Sequence, residues 1–228
     1  MRNWSLAIAL SLGGWAAAHA APASHVDLAC EVSWNGSVVA DVTYALDHDG
    51  KSYSLVERWK GRGIYGLIGE AKRTSRGTIG TGGLRPLYYE DARTARATAT
   101  ARFDWDAKSL TLEFRQGPQQ RPMPEHAQDR LSFLFSFAFN APGKRPVEFK
   151  VVDGKGIADY VFDVAGREPL KIPAGEFEAL RLVERTAKPG ENNEVWLDPA
   201  RSFLPVRVLV VQKDGTRIDQ VAVRIVSR

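Results

Sequence analysis

Apolar and polar side chains alternate along most of the chain, with the two-residue period of a strand that buries one face and wets the other. Val38, Ala40, Val42, Tyr44 and Leu46 alternate with Val39, Asp41, Thr43, Ala45 and Asp47, and Leu110, Leu112 and Phe114 alternate with Ser109, Thr111, Glu113 and Arg115. Val147, Phe149 and Val151 repeat the pattern against Glu148 and Lys150, as do Tyr160, Phe162 and Val164 against Asp159 and Asp163. Hairpin formers separate these runs: Asn35-Gly36, Asp49-Gly50, Asp153-Gly154 and Asp214-Gly215 suit tight turns, and Asp104 to Lys108 is a fifth candidate. About a dozen strands at hairpin spacing predict a mainly β fold, a single antiparallel meander. A flat sheet of that width would leave one apolar face uncovered, so it must curve into a half-open or unclosed barrel.

Something apolar has to fill the concavity. The candidate is Asp129 to Asn140, DRLSFLFSFAFN, which follows the Pro-rich stretch Gln116 to Pro124. Leu131, Phe133, Phe135, Phe137 and Phe139 alternate as in a strand, whereas Leu131, Leu134, Phe135 and Ala138 share one helical face. An N-cap at Asp129 and an apolar character on every side favour a helix packed inside the sheet. The run Thr94 to Trp105 reads as a strand with Ala95, Ala97, Ala99, Ala101, Phe103 and Trp105 on one face and Arg96, Thr98, Thr100 and Arg102 on the other. Four inward alanines either receive the Phe-rich helix, which could act as a plug or gate, or line a cavity.

Composition narrows the class. With 228 residues, 44% hydrophobic and 25% charged, the chain has the make-up of a soluble globular protein that can bury a sizeable core without disulfides. Residues 1–20 read as a signal peptide: Arg2 is the positive start, Leu6 to Ala18 an uncharged apolar run, and Ala18-His19-Ala20 a small-residue site with cleavage after Ala20. The apolar run is too short to span a bilayer. The mature chain, 21–228, is expected to be one β-rich domain, soluble and periplasmic. Its lone cysteine, Cys30, cannot close an intrachain disulfide, and Asp27-Leu28-Ala29-Cys30 places an acid where a lipoprotein signal wants an aliphatic residue. Cys30 is therefore expected to be a small buried side chain on the first strand.

Catalytic patterns are sparse. Gly61-Arg62-Gly63-Ile64-Tyr65-Gly66 fits the spacing of a dinucleotide fingerprint but lacks the βαβ context that gives the spacing meaning. Leu-Val-Glu-Arg at 55–58 and 182–185 has no extension on either side and does not make a repeat. His25, His48 and His126 fall in no zinc or protease spacing. Asp129 with Ser132 is the one compact polar pair beside an apolar segment, and helix capping accounts for it. No catalytic residue, cofactor or metal is assigned.

Charge placement says more. Residues 58–102 carry ten basic against three acidic side chains, and residues 146–200 seven basic against eleven acidic. Arg73, Arg76, Arg96 and Arg102 are the candidate face for an anionic partner, such as a lipid headgroup, lipopolysaccharide or an acidic protein surface, or else a solvated sheet face. Nucleic acid does not fit an exported protein. Trp59, Tyr88, Tyr89, Ala97, Ala99, Trp105, Phe133 and Phe137 are the candidate contacts for a hydrophobic or lipid-like ligand.

An ordered series of short motifs resembles one bacterial family. It runs through the strand pair from Val32 to Val39, the block Lys60 to Arg76 closing in Arg73-Thr74-Ser75-Arg76-Gly77, Gly83-Leu84-Arg85-Pro86 and Phe103-Asp104-Trp105. It continues through Gln128-Asp129-Arg130-Leu131-Ser132, Pro173-Ala174-Gly175-Glu176-Phe177, Trp196-Leu197 and Leu204-Pro205-Val206-Arg207. The series is similar to domain-of-unknown-function family 3108 over nearly the whole mature chain. The resemblance implies an exported protein of Gram-negative bacteria with a curved or half-open β-barrel similar to the lipoprotein-localisation carriers, and it carries over no active site. Two functions remain open: a carrier for a hydrophobic ligand, or an envelope structural or interaction protein with a solid core.

Overall fold

The computed structural model describes residues 22–94 and 96–228, so the leader expected over residues 1–20 lies outside the described residues. The strands are β1 (His25–Trp34), β2 (Ser37–His48), β3 (Ser52–Gly61), β4 (Glu70–Gly80), β5 (Gly83–Arg93), β6 (Ala99–Asp104), β7 (Ser109–Glu113), β8 (Pro118–Pro122) and β9 (Ala127–Asp129). One helix, α1 (Ser132–Phe139), separates them from β10 (Val147–Val152), β11 (Ile157–Ile172), β12 (Gly175–Glu184), β13 (Asn192–Asp198), β14 (Leu204–Val211) and β15 (Arg217–Ser227). All the strands form a single sheet in the order β8 to β1 followed by β15 down to β9. Neighbours are antiparallel throughout, except that β9 runs parallel to β10. All five expected turns join consecutive strands.

The Pro-rich stretch contributes β8, and β9 follows shortly after it. Neither strand alternates in hydrophobicity: every residue of β8 is exposed and every residue of β9 is buried.

Burial follows the alternation with one slip. Ala40, Val42, Tyr44 and Leu46 point into the core, but Val38 is 43% exposed while Val39 is 5% exposed. The cause is a bulge: Val32 pairs with Ala40 and Ser33 with Val38, which leaves Val39 between partners and turns Val38 to the outer face. Cys30 is buried on β1 as expected, and burial pushes its thiol up to about 12. Native protein should resist thiol reagents at neutral pH. Cys30→Ala should cost on the order of 1 kcal/mol in urea unfolding, because only a small apolar volume is lost.

The Phe-rich segment is helical, and the sheet wraps around it. Phe135, Phe137 and Ala138 are buried, with the Phe135 ring 5.4 Å from that of Tyr44 and the Phe137 ring 5.5 Å from that of Phe149. Ser136 satisfies its buried hydroxyl by donating to the Ser132 carbonyl oxygen at 2.7 Å. The alanine strand is shorter than the alternation predicts. β6 begins at Ala99, Ala97 is exposed in the segment before it, and Ala95 lies outside the described residues. β5 pairs with β6 only from Asp91 with Ala99 to Tyr88 with Arg102, so the chain before Ala99 has no partner strand to order it. Ala99 meets the turn between β10 and β11: a Cβ added to Gly154, where φ is +81°, would lie 3.0 Å from the Ala99 Cβ. A leucine at Ala99 would force that contact apart rather than fill a ligand cavity.

The two edges of the sheet do not meet. β9 tucks against the inner face of β4 and β5, where Gln128 Nε2 donates to the Leu84 carbonyl oxygen at 2.7 Å and Ser75 Oγ donates to Asp129 Oδ2 at 2.5 Å. β8 forms the opposite edge, with a proline at each end.

Candidate functional site

Curvature around α1 leaves a cavity of about 750 Å³ between the helix and the strands on both sides of the β1–β15 pairing. Phe133 and Leu134 from α1, Val151 from β10, Tyr160 and Phe162 from β11 and Val208 from β14 give it an apolar and aromatic wall. Phe133 stacks on Tyr160 at 5.6 Å and on Phe162 at 6.4 Å between centroids. The wall residues of β10 and β11 are the inward half of the alternating pattern.

The other side of the cavity carries charge. Glu57 on β3, Arg73 on β4 and Asp91 on β5 are directly opposite one another across three strands and all face inward. Arg73 Nη1 donates to Glu57 Oε2, and Arg73 Nε lies 3.3 Å from Asp91 Oδ1 without hydrogen-bond geometry. Tyr44 donates its hydroxyl proton to Glu57 Oε1 at 2.9 Å, and Arg93 Nη2 reaches Asp91 Oδ2 at 2.6 Å. Burial works against the Arg73 charge, but Glu57 and Asp91 outweigh it and hold the guanidinium pKa above its ordinary value. Burial likewise pushes Asp91 up, and Arg93 and Arg73 more than reverse it, so the carboxyl sits below the usual range.

A second polar cluster anchors the helix. Asp129 was expected to start the helix; it ends β9 instead, and α1 begins at Ser132. Its Oδ1 still accepts the backbone N–H groups of Leu131 and Ser132, each at 2.8 Å, while Ser132 Oγ accepts the Asp129 N–H at 2.9 Å. This reciprocal arrangement does the work of an N-cap from two residues further out. Complete burial raises the Asp129 carboxyl to about 6 in spite of these donors.

The structure divides the residues singled out from the sequence. Trp59 and Phe133 line the cavity. Phe137 lies buried behind it, and Tyr89 is fully buried with no hydrogen-bond partner for its hydroxyl among the described residues. Ala97 and Ala99 are elsewhere, as described above. Tyr88 sits on the outer face under Arg102, 5.1 Å from the guanidinium carbon to the ring centroid, and donates its hydroxyl proton to Glu90 at 2.8 Å. Trp105 packs under Arg85 at 4.8 Å and donates Nε1–H to the Pro86 carbonyl oxygen at 2.7 Å. Of the basic residues, Arg76 and Arg102 share an outer row with Tyr88, and Arg96 is exposed in the segment before β6. Arg73 does not belong to that face. It has the inward parity of Ser75, and its charge is spent on Glu57 and Asp91.

Sequence reading missed Glu57, Asp91, Tyr160 and Arg130. Opposite charges in one cross-strand row could have revealed the first two, but only with the register already known. Among the described residues no group of three or more His, Cys, Asp or Glu side chains could hold a metal ion, and no helix is long and apolar enough to cross a membrane.

An antiparallel sheet curled around a helix without closing defines a barrel-like architecture. The crystal structure of a beta-barrel-like protein of domain of unknown function DUF1849 from Brucella abortus shares it, with a TM-score of 0.58 at 6% identity over 90% of this chain and 98% of that one. A protein from Bacteroides fragilis described as exported, with a YmcC-like fold, matches with a TM-score of 0.44 at 11% identity over 91% of this chain and 100% of that one. One from Parabacteroides distasonis described as a lipoprotein matches at 0.40 and 9% identity over 90% and 97%. The chain belongs to the family described as protein of unknown function DUF3108, whose family model matches residues 29–221. No curated protein matches the sequence.

Proposed function

We propose that the protein is an exported, non-catalytic binding protein or carrier that holds a hydrophobic or lipid-like ligand between α1 and the concave sheet. The observation that carries this reading is the cavity of about 750 Å³ with its apolar, aromatic wall. That size falls within the range of roughly 300–1,000 Å³ found for small-molecule pockets. Export to the periplasm rests on the leader-like residues 1–20.

The test is equilibrium titration of the chain with a fluorescent fatty-acid probe, alongside Val208→Phe. Val208 is half-buried on the cavity wall, so a phenylalanine there grows into open volume rather than into packed core. Saturable binding by wild type, weakened about tenfold or more in a folded Val208→Phe protein, is the expected result. Negligible binding by wild type would remove the carrier reading. The envelope-interaction reading would then rest on the outer row of Arg76, Tyr88 and Arg102.

A further inference from the structure

We infer that the cavity selects an anionic amphiphile, whose headgroup is held by Arg130 with Lys155 beside it and whose chain lies along the aromatic wall. The inference rests on the binding reading above and names the chemistry of the ligand. Six charged side chains line the cavity. The cations are Arg73, Arg130 and Lys155, and the acids are Glu57, Asp153 and Glu194.

The acids are all engaged. Glu57 is taken by Arg73, and Glu194 Oε2 accepts Arg181 Nε–H at 2.6 Å. Asp153 Oδ1 accepts the backbone N–H groups of Lys155 and Gly156 in its own turn, each at 3.0 Å. Arg130 and Lys155 are left without a carboxylate within 4.0 Å among the described residues. The Lys155 ammonium rests on the Phe114 ring at 4.9 Å. Arg130, just ahead of α1, acts electrostatically on Tyr160, which the cavity half-buries between Phe133 and Phe162.

Arg130 and Lys155 are both exposed where they line the cavity, so an uncharged chain leaves them in water and gains nothing from them. A carboxylate or phosphate monoester there finds two unpaired cations, and the planar guanidinium fork matches either group with two parallel hydrogen bonds. The same cations disfavour a positively charged head.

The test compares dodecanoate, dodecyl phosphate, dodecanol and dodecyltrimethylammonium as competitors for the fluorescent probe on the full chain, in wild type, Arg130→Gln and Lys155→Gln. One or both anions should bind about tenfold or more tighter than dodecanol, and the ammonium should bind weakest. Which anion leads tells a fatty acid from a phosphorylated lipid. Arg130→Gln should remove most of the advantage and leave dodecanol unchanged, with Lys155→Gln removing a smaller part. Rising salt on wild type should weaken the anions but not dodecanol, a readout that needs no variant. Equal binding of dodecanol and the anions by wild type would overturn the headgroup assignment while leaving a binding cavity intact. Failure of all four to displace the probe would overturn the occupancy of the cavity itself.

Discussion

Arg73→Met is expected to lower the free energy of unfolding by about 3–5 kcal/mol, the size of loss seen when one partner of a buried ion pair is removed. Glu57 is 5% exposed and Asp91 4% exposed, so neither carboxylate can turn to water once the guanidinium is gone. Asp91 keeps Arg93, but Glu57 keeps only the Tyr44 hydroxyl. Most of the cost therefore falls on Glu57. Adding Glu57→Gln to the Arg73→Met background should recover part of the loss, because the amide has no charge to leave unpaired. Urea unfolding of the two single variants and the double variant measures this coupling. A loss below about 1 kcal/mol for Arg73→Met would mean that water reaches the row from the cavity and screens it.

The second large effect is a dependence on pH that runs opposite to ordinary acid denaturation. Asp129 has its folded pKa raised to about 6, against roughly 3.9 for an unfolded aspartate. Between those values the native protein keeps a proton that the unfolded chain has released, so stability falls as pH rises through this window. The contribution of Asp129 is fully present below about pH 4 and lost above about pH 6, and amounts to on the order of 3 kcal/mol. Other carboxylates pull the other way. Asp49, held to about 2 by the Ser52 and Lys51 amides, and Asp91, held below its usual range, both favour the folded state at higher pH. The measurement is therefore a difference. Stability of wild type minus that of Asp129→Asn should rise by about that amount when the pH is lowered from 7 to 4. A difference that stays flat across this range would show that Asp129 is ionised in the native protein throughout.

Much of the fold was legible because its physics is local. Alternation in β2, β7, β10 and β11, with Asn-Gly and Asp-Gly between strands, encodes both the hairpins and the faces. The segment around Phe135 was legible as a buried helix because no polar stripe runs along it, even though its phenylalanines also alternate. What escaped depends on partners distant in sequence. Ala97 has the right parity for the inner face but no strand beside it, and Val38 changes face through a bulge. Arg73 looked like part of a basic outer patch until Glu57 and Asp91 were placed opposite it. β9 comes from residues whose order depends on β10 and on the inner face of β5. The cavity is a property of curvature, which no single strand contains, so Trp59 and Phe133 were found while Tyr160 and Arg130 were not.

An unclosed sheet has two edges that could recruit a strand from another molecule, and this chain disarms them by different means. β9 is covered from within, its side chains bonded to β4 and β5. β8 is bare, but Pro118 and Pro122 offer no N–H at either end, and between them stand only Gln119, Gln120 and Arg121, all exposed. A strand laid against this edge would find a ladder too short and too polar to hold it. The sheet can therefore remain open enough to keep a hollow interior without that opening becoming a template for self-association.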